Sequence, residues 1–108
     1  MRMKLLLNTL TIERLKDGLG DKPGCFKLFY DTEDCGCNGV LVILIVDGPN
    51  NTDIEIQRDP FVFLCDLQQE SLFDDVMRIE AEENYPSFKL SSDSSVFSTN
   101  IRLKDIRL

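Results

Sequence analysis

Val40 to Asp47 reads VLVILIVD, seven consecutive apolar residues closed by an acid. Most are β-branched, which suits a pleated surface better than a helix. A run with no polar position on either face must be covered on both sides. It predicts a central, buried strand. It is also far short of the roughly 20 residues that a membrane helix needs. Whatever this chain folds into is built around that strand.

The flanking segments supply partners for it. Cys25 to Asp31 (CFKLFYD) alternates, with Phe26, Leu28 and Tyr30 on one face and Cys25, Lys27 and Phe29 on the other. That predicts a strand with both faces at least partly covered. Asp53 to Gln57 alternates as a half-exposed strand does, and Phe61 to Cys65 (FVFLC) reads as a short buried one. Asp47-Gly48-Pro49-Asn50-Asn51 and Asp21-Lys22-Pro23-Gly24 are turn sequences. Ahead of them, Thr11 is a candidate N-cap for a helix carrying Ile12, Leu15 and Leu19, stopped by Gly18 or Gly20. Asp66 to Phe73 is read as a short helix capped by Asp66. Val76 to Glu82 is ambiguous between helix and strand, and strand is preferred. Ser87 to Leu90 and Val96 to Leu103 are read as further short strands around the polar turn Ser91 to Ser95. No internal repeat or long linker divides the chain, so residues 1–108 are read as one domain of the α+β class, mainly β.

Composition narrows the function. Twelve Lys and Arg against 19 Asp and Glu give a net charge of −7, with no basic stripe for a phosphate backbone, so nucleic acid is excluded as a partner. The chain has no His. That removes Ser-His-Asp and Cys-His nucleophiles, His-bound zinc and imidazole switches. The start, MRMKLLL, has a leader-like charge, but its apolar run is too short for the roughly 7–15 residues of a signal segment. With no membrane span expected either, the chain is read as soluble and cytoplasmic. Its four Cys would then be mostly reduced, which favours metal or redox chemistry over a structural disulfide.

The chemistry concentrates in Asp34-Cys35-Gly36-Cys37-Asn38-Gly39. Gly36 and Gly39 let the backbone curl, so that Cys35 and Cys37 can aim at one point. Paired thiolates suit a soft metal or an iron–sulfur cluster. Closed sites of either kind take four ligands, so others must come from Cys25, Cys65 or a second chain. A surface turn that happens to carry two thiols is the plain alternative. Asp31, Glu33 and Asp34 disfavour the thiolate, which weakens a nucleophile more than a metal ligand. Cys65 and Cys25 also read as packing thiols. The seven Phe are read as core rather than as a stacking platform, and Glu80, Glu82 and Glu83 as a solvated face.

These segments, in this order, resemble the HesB/IscA-like family, the A-type carriers of iron–sulfur cluster biogenesis. The likeness runs over about residues 9–100. It consists of a Gly-led strand from Gly24, a polar loop ending in Cys37-Asn38-Gly39, an apolar strand closing on Asp47, and Ser87-Phe88-Lys89-Leu90 near the C-terminal end. The resemblance implies a compact fold of two packed β-sheets with short helices. It also implies homo-oligomers that hold clusters between subunits. Cys37 matches the family's first cluster-ligating Cys, and Cys35 is an extra thiol beside it. The family's C-terminal Cys-Gly-Cys has no counterpart, since Ser91 to Leu108 contains no Cys.

The reading is therefore an iron–sulfur cluster biogenesis protein with no catalytic residues. It binds iron or a cluster at Cys35 and Cys37, with Cys65, or more weakly Cys25, as further metal ligands. Its partners are other assembly or acceptor proteins. Two alternatives are a metal-free binding module of the same fold and a Cys35/Cys37 thiol–disulfide exchanger, whose small ring would be strained and labile.

Overall fold

A computed structural model describes residues 3–31 and 39–108. In chain order the elements are β1 (Lys4–Leu7), α1 (Thr9–Leu19), β2 (Cys25–Asp31), β3 (Val40–Val46), β4 (Asp53–Gln57) and β5 (Phe63–Asp66). A 3₁₀ turn (Glu70–Leu72), β6 (Val76–Ala81), β7 (Ser87–Ser91) and β8 (Val96–Asp105) complete it. All eight strands join one sheet in the order β1-β6-β7-β8-β3-β2-β5-β4. The mainly β, α+β class holds, and the strands of the two expected layers are continuous with each other. Among the described residues no helix is long and apolar enough to cross a membrane.

The apolar run is central, as its composition requires. β3 pairs antiparallel with the whole of β2, from Cys25↔Val46 to Asp31↔Val40, and parallel with β8 from Val42↔Arg102 to Ile45↔Asp105. Leu41, Ile43 and Ile45 point inward and are buried, whereas Val42, Leu44 and Val46 on the other face are only partly covered. Against them the core gathers Phe26, Leu28, Phe63, Met77, Ile79, Leu90 and Ile101 from five further strands. Phe26 stacks on Phe63 at 5.3 Å and meets Phe61 edge-on.

The sheet curls until its two edges meet, and a side chain closes the seam. The Gln57 carboxamide of β4 accepts from Leu5 N–H and donates to Leu5 C=O of β1, both at 2.8 Å. It supplies the donor and acceptor that a neighbouring strand would have supplied. Gln69 does the same for Tyr30 of β2, accepting from its N–H at 2.9 Å and donating to its C=O at 3.2 Å. Gln57→Ala should lower the unfolding free energy by about 1–3 kcal/mol, for two lost hydrogen bonds. Amide exchange should speed up at Leu5 while that of Ile43 stays slow, a difference readable by hydrogen exchange.

Three local expectations change. The cap of α1 is Asn8, whose side chain accepts from Thr11 N–H, and not Thr11. Thr11 is fully buried, because its hydroxyl is used against β6: it accepts from Ala81 N–H at 2.8 Å and lies 3.0 Å from Ile79 C=O. The helix expected over Asp66 to Phe73 is reduced to the Glu70–Leu72 turn. Tyr30 draws in the Gln69 side chain while Phe73 enters the core, and the segment bends to do both. Lys4–Leu7 is a strand, paired parallel with β6, and its Leu5 is a buried core residue.

Glycine acts at two points of α1. Gly20 ends the helix at φ 64°, its N–H returning to Lys16 C=O. Gly18 leaves room for the Leu103 side chain of β8, since a Cβ there would stand 2.5 Å from its Cδ2. Arg107 ties the same helix end down, donating to the Lys22 and Gly18 carbonyls at 2.9 and 3.4 Å.

Candidate functional site

The β2–β3 pairing ends at Asp31↔Val40, and the chain between those residues carries Cys35 and Cys37. Both lie in residues 32–38, outside the described residues. What the structure establishes is the frame on either side. Tyr30 is held by the Gln69 carboxamide and by Phe73, whose ring stacks on its own at 5.8 Å. Gly39 enters β3 at φ 93°, a conformation that favours glycine.

The other two thiols are kept apart by strand geometry. Cys25 starts β2 opposite Val46, at the far end from Asp31, about 20 Å away at a strand's rise per residue. It shares its face with Lys27, outside the core. Burial first, then the charge of Glu55, pushes its thiol up. Cys65 lies in β5 opposite Leu28 and Ile54, on the inner face, and is fully buried. Burial, reinforced by Glu70 and Asp66, pushes its thiol from 9.0 up to about 11. A neutral, enclosed thiol of this kind packs as a small apolar side chain. Cys25 and Cys65 thus face opposite sides of one sheet. Among the described residues, no three His, Cys, Asp or Glu side chains are grouped to hold a metal ion.

The raised Cys65 thiol gives a pH dependence. The folded chain keeps this proton to higher pH than the unfolded chain does. The resulting stability is fully present below pH 9 and is lost as pH rises towards about 11. Urea unfolding followed across that range should show the fall, and Cys65→Val should flatten it. The same thiol should resist alkylation in the native protein while Cys25 reacts.

One charged pair is buried on the outer face of the sheet, where Asp53 begins a strand read from the sequence as half-exposed. Lys27 Nζ lies 2.8 Å from Asp53 Oδ1, and both side chains are almost completely buried, at 7% and 1% exposure. Asp53 Oδ2 accepts from Asn50 N–H at 2.8 Å. The ammonium also stands 4.9 Å from the Phe29 ring centroid. The pair fixes β4 against β2 from outside the core. A single Lys among the apolar neighbours of CFKLFYD was its one trace in the sequence.

The family model for iron–sulphur cluster biosynthesis matches residues 3–105. The chain belongs to that family. The match spans the whole sheet, from the buried Met3 ahead of β1 to the end of β8. Solved structures agree on the fold. A candidate Fe–S biosynthesis protein from Lactobacillus salivarius aligns with a TM-score of 0.81 at 21% identity, over 98% of this chain and 100% of that one. A second, from Lactobacillus acidophilus, gives 0.74 at 14% identity, over 95% and 90%. Escherichia coli SufA, involved in biosynthesis of iron–sulfur clusters, gives 0.63 at 17% identity, over 88% and 91%. No curated protein matches significantly in sequence. Cys35 and Cys37 lie within the matched range, and the chain has no Cys beyond Cys65.

Proposed function

We propose that this chain binds iron or an iron–sulfur cluster as cargo, through Cys35 and Cys37, for assembly or transfer in the cytoplasm. Membership of the iron–sulphur cluster biosynthesis family over residues 3–105 carries the reading. The fate of the other thiols supports it. Cys65 is taken up by the core and Cys25 sits at the opposite end of β2, so the reading rests on Cys35 and Cys37. In this reading Cys65 ranks behind Cys35 and Cys37 as a ligand, because burial holds its thiol neutral.

Two thiolates per chain leave a four-ligand cluster half complete. A second copy would supply the other two, so the cargo would sit between subunits of a homo-oligomer. An acceptor protein could then replace one copy's thiolates by ligand exchange. No bond in a substrate is made or broken by the protein, and no catalytic residue is needed. The acidic neighbours Asp31, Glu33 and Asp34 oppose free thiolates, but a bound cation offsets that charge.

Anaerobic reconstitution with ferrous iron and sulfide tests this. The wild-type chain should develop the visible charge-transfer absorbance of a thiolate-bound cluster and shift to a dimer on size exclusion. Cys35→Ser/Cys37→Ser should do neither, while Cys65→Val should behave as wild type. Equal colour in the double variant would remove the proposal. A second reading, a metal-free binding module, is favoured by the absence of Cys from Ser91 to Leu108. It expects no difference between wild type and the double variant.

A further inference from the structure

The outward side of the β2–β3 hairpin is apolar, and no other described element packs over it. Val40, Val42, Leu44 and Val46 all point away from the core, and Val40 is 54% exposed. A strand face turned to water is ordinarily polar. Here β3 is apolar on both sides, and only one side has a core to enter. Helix α1 packs on the inner side, through Leu15, and leaves this face open.

The strand registers set opposite charges at the two flanks of that face. Five strands lie side by side in the order β8-β3-β2-β5-β4. One outward row across them reads Lys104, Leu44, Lys27, Leu64 and Glu55, each paired with the next. Lys27 in the middle is neutralised by Asp53, so the row is basic at one end, acidic at the other and uncharged between. The neighbouring row starts at Arg102, passes Val42 and Phe29, and ends on the acidic side at Asp66, opposite Asp53. Lys104 and Glu55 are both exposed. Glu55 meets Arg58 at 3.0 Å, but Arg58 is 72% exposed, and a surface pair of this kind costs little to exchange.

We propose that two copies of this chain pair through this face, about a twofold axis that runs along β2. Such an axis turns each row end for end. It lays the Lys104 end of one copy over the Glu55 end of the other, twice per dimer, with Leu44 and Leu64 of opposite copies in contact between them. An axis across the strands would instead set like charge on like charge. The contact is self-complementary and closes with two copies. It deepens the proposed function and rests on it for one point: two thiolates per chain ask for a second copy. The same axis puts Asp31 and Val40, the ends of the hairpin, at the same end of the dimer in both copies. The contact itself uses none of residues 32–38.

Sedimentation equilibrium of the metal-free Cys35→Ser/Cys37→Ser chain tests the contact without its cargo. The face is small, so pairing should be weak, with a Kd on the order of 0.1 mM, above the concentrations at which size exclusion is run. Since β2 faces its own counterpart across the axis, a short bismaleimide should link two copies through Cys25, and Cys25→Ser should abolish the link. Leu44→Glu should remove the pairing. Lys104→Glu and Glu55→Lys, both at exposed positions, should each weaken it by about tenfold, and the two together should restore most of it. Monomer at every concentration, open-ended association in place of a dimer, pairing that survives Leu44→Glu, or a double charge swap no tighter than the single ones would overturn the proposal. A failed cargo reading shows separately, in a wild-type chain that pairs but takes up neither iron nor sulfide.

Discussion

Lys27→Met is expected to lower the unfolding free energy by about 3–5 kcal/mol, because it strands a buried carboxylate. Asp53 is 1% exposed at its side chain, and beyond Lys27 its Oδ1 has no partner. A charge so placed must either lose its hydration unpaired or drag water into the β2–β4 contact. Met keeps the length of the side chain and its packing beside Phe29, so the loss is electrostatic rather than a cavity. The partner change separates the two. Lys27→Met combined with Asp53→Leu should recover most of the stability, since a buried pair replaced by apolar groups of similar volume is often close to neutral. Urea unfolding of the single and double variants measures this directly. A single-variant loss below about 1 kcal/mol would mean that the pair behaves as a solvated surface bridge.

Thr11→Val is the next largest effect expected. Valine matches the shape of threonine but deletes the hydroxyl, which accepts from Ala81 N–H and lies within hydrogen-bond reach of Ile79 C=O and Asn8 Oδ1. Each buried group left without a partner costs about 1–3 kcal/mol. The loss should exceed that of Asn8→Ala, a cap deletion worth about 1 kcal/mol. The reason is connectivity. Asn8 satisfies only the helix start, whereas Thr11 joins the helix to the end of β6. Thermal or urea unfolding of both variants ranks them, and the reverse order would show that the helix–strand tie carries little.

Both residues illustrate what a sequence discloses. Val40–Val46 announced itself because every position is apolar, and its central place follows from that alone. Phe26, Leu28 and the alternation of Ile54 and Ile56 were equally readable, since burial imposes a period of two on a strand. Thr11 was legible only as a helix-start residue. Capping chemistry is shared by Asn8 and Thr11, and the choice between them is made by β6, which lies 68 residues away at Ile79. Lys4–Leu7 could not be recognised as a strand because four apolar or basic residues carry no measurable period. It becomes one by pairing with Val76–Ile79.

The closure by Gln57 and Gln69 left no trace at all. A carboxamide that stands in for a strand is indistinguishable, along the chain, from any polar surface residue. The thiols are the converse case. Their number and spacing were plain in the sequence, but the parity that places Cys65 inside and Cys25 outside depends on strand register. The proposed reading therefore ranks Cys65 behind Cys35 and Cys37 as a ligand.

Iron and acid-labile sulfide content, measured on protein purified anaerobically, tests that reading most directly. Wild type should carry iron and sulfide in comparable amounts, and Cys35→Ser/Cys37→Ser should carry neither. Wild-type protein free of both metal and sulfide under strictly anaerobic handling, or a double variant that retains them in full, would contradict it.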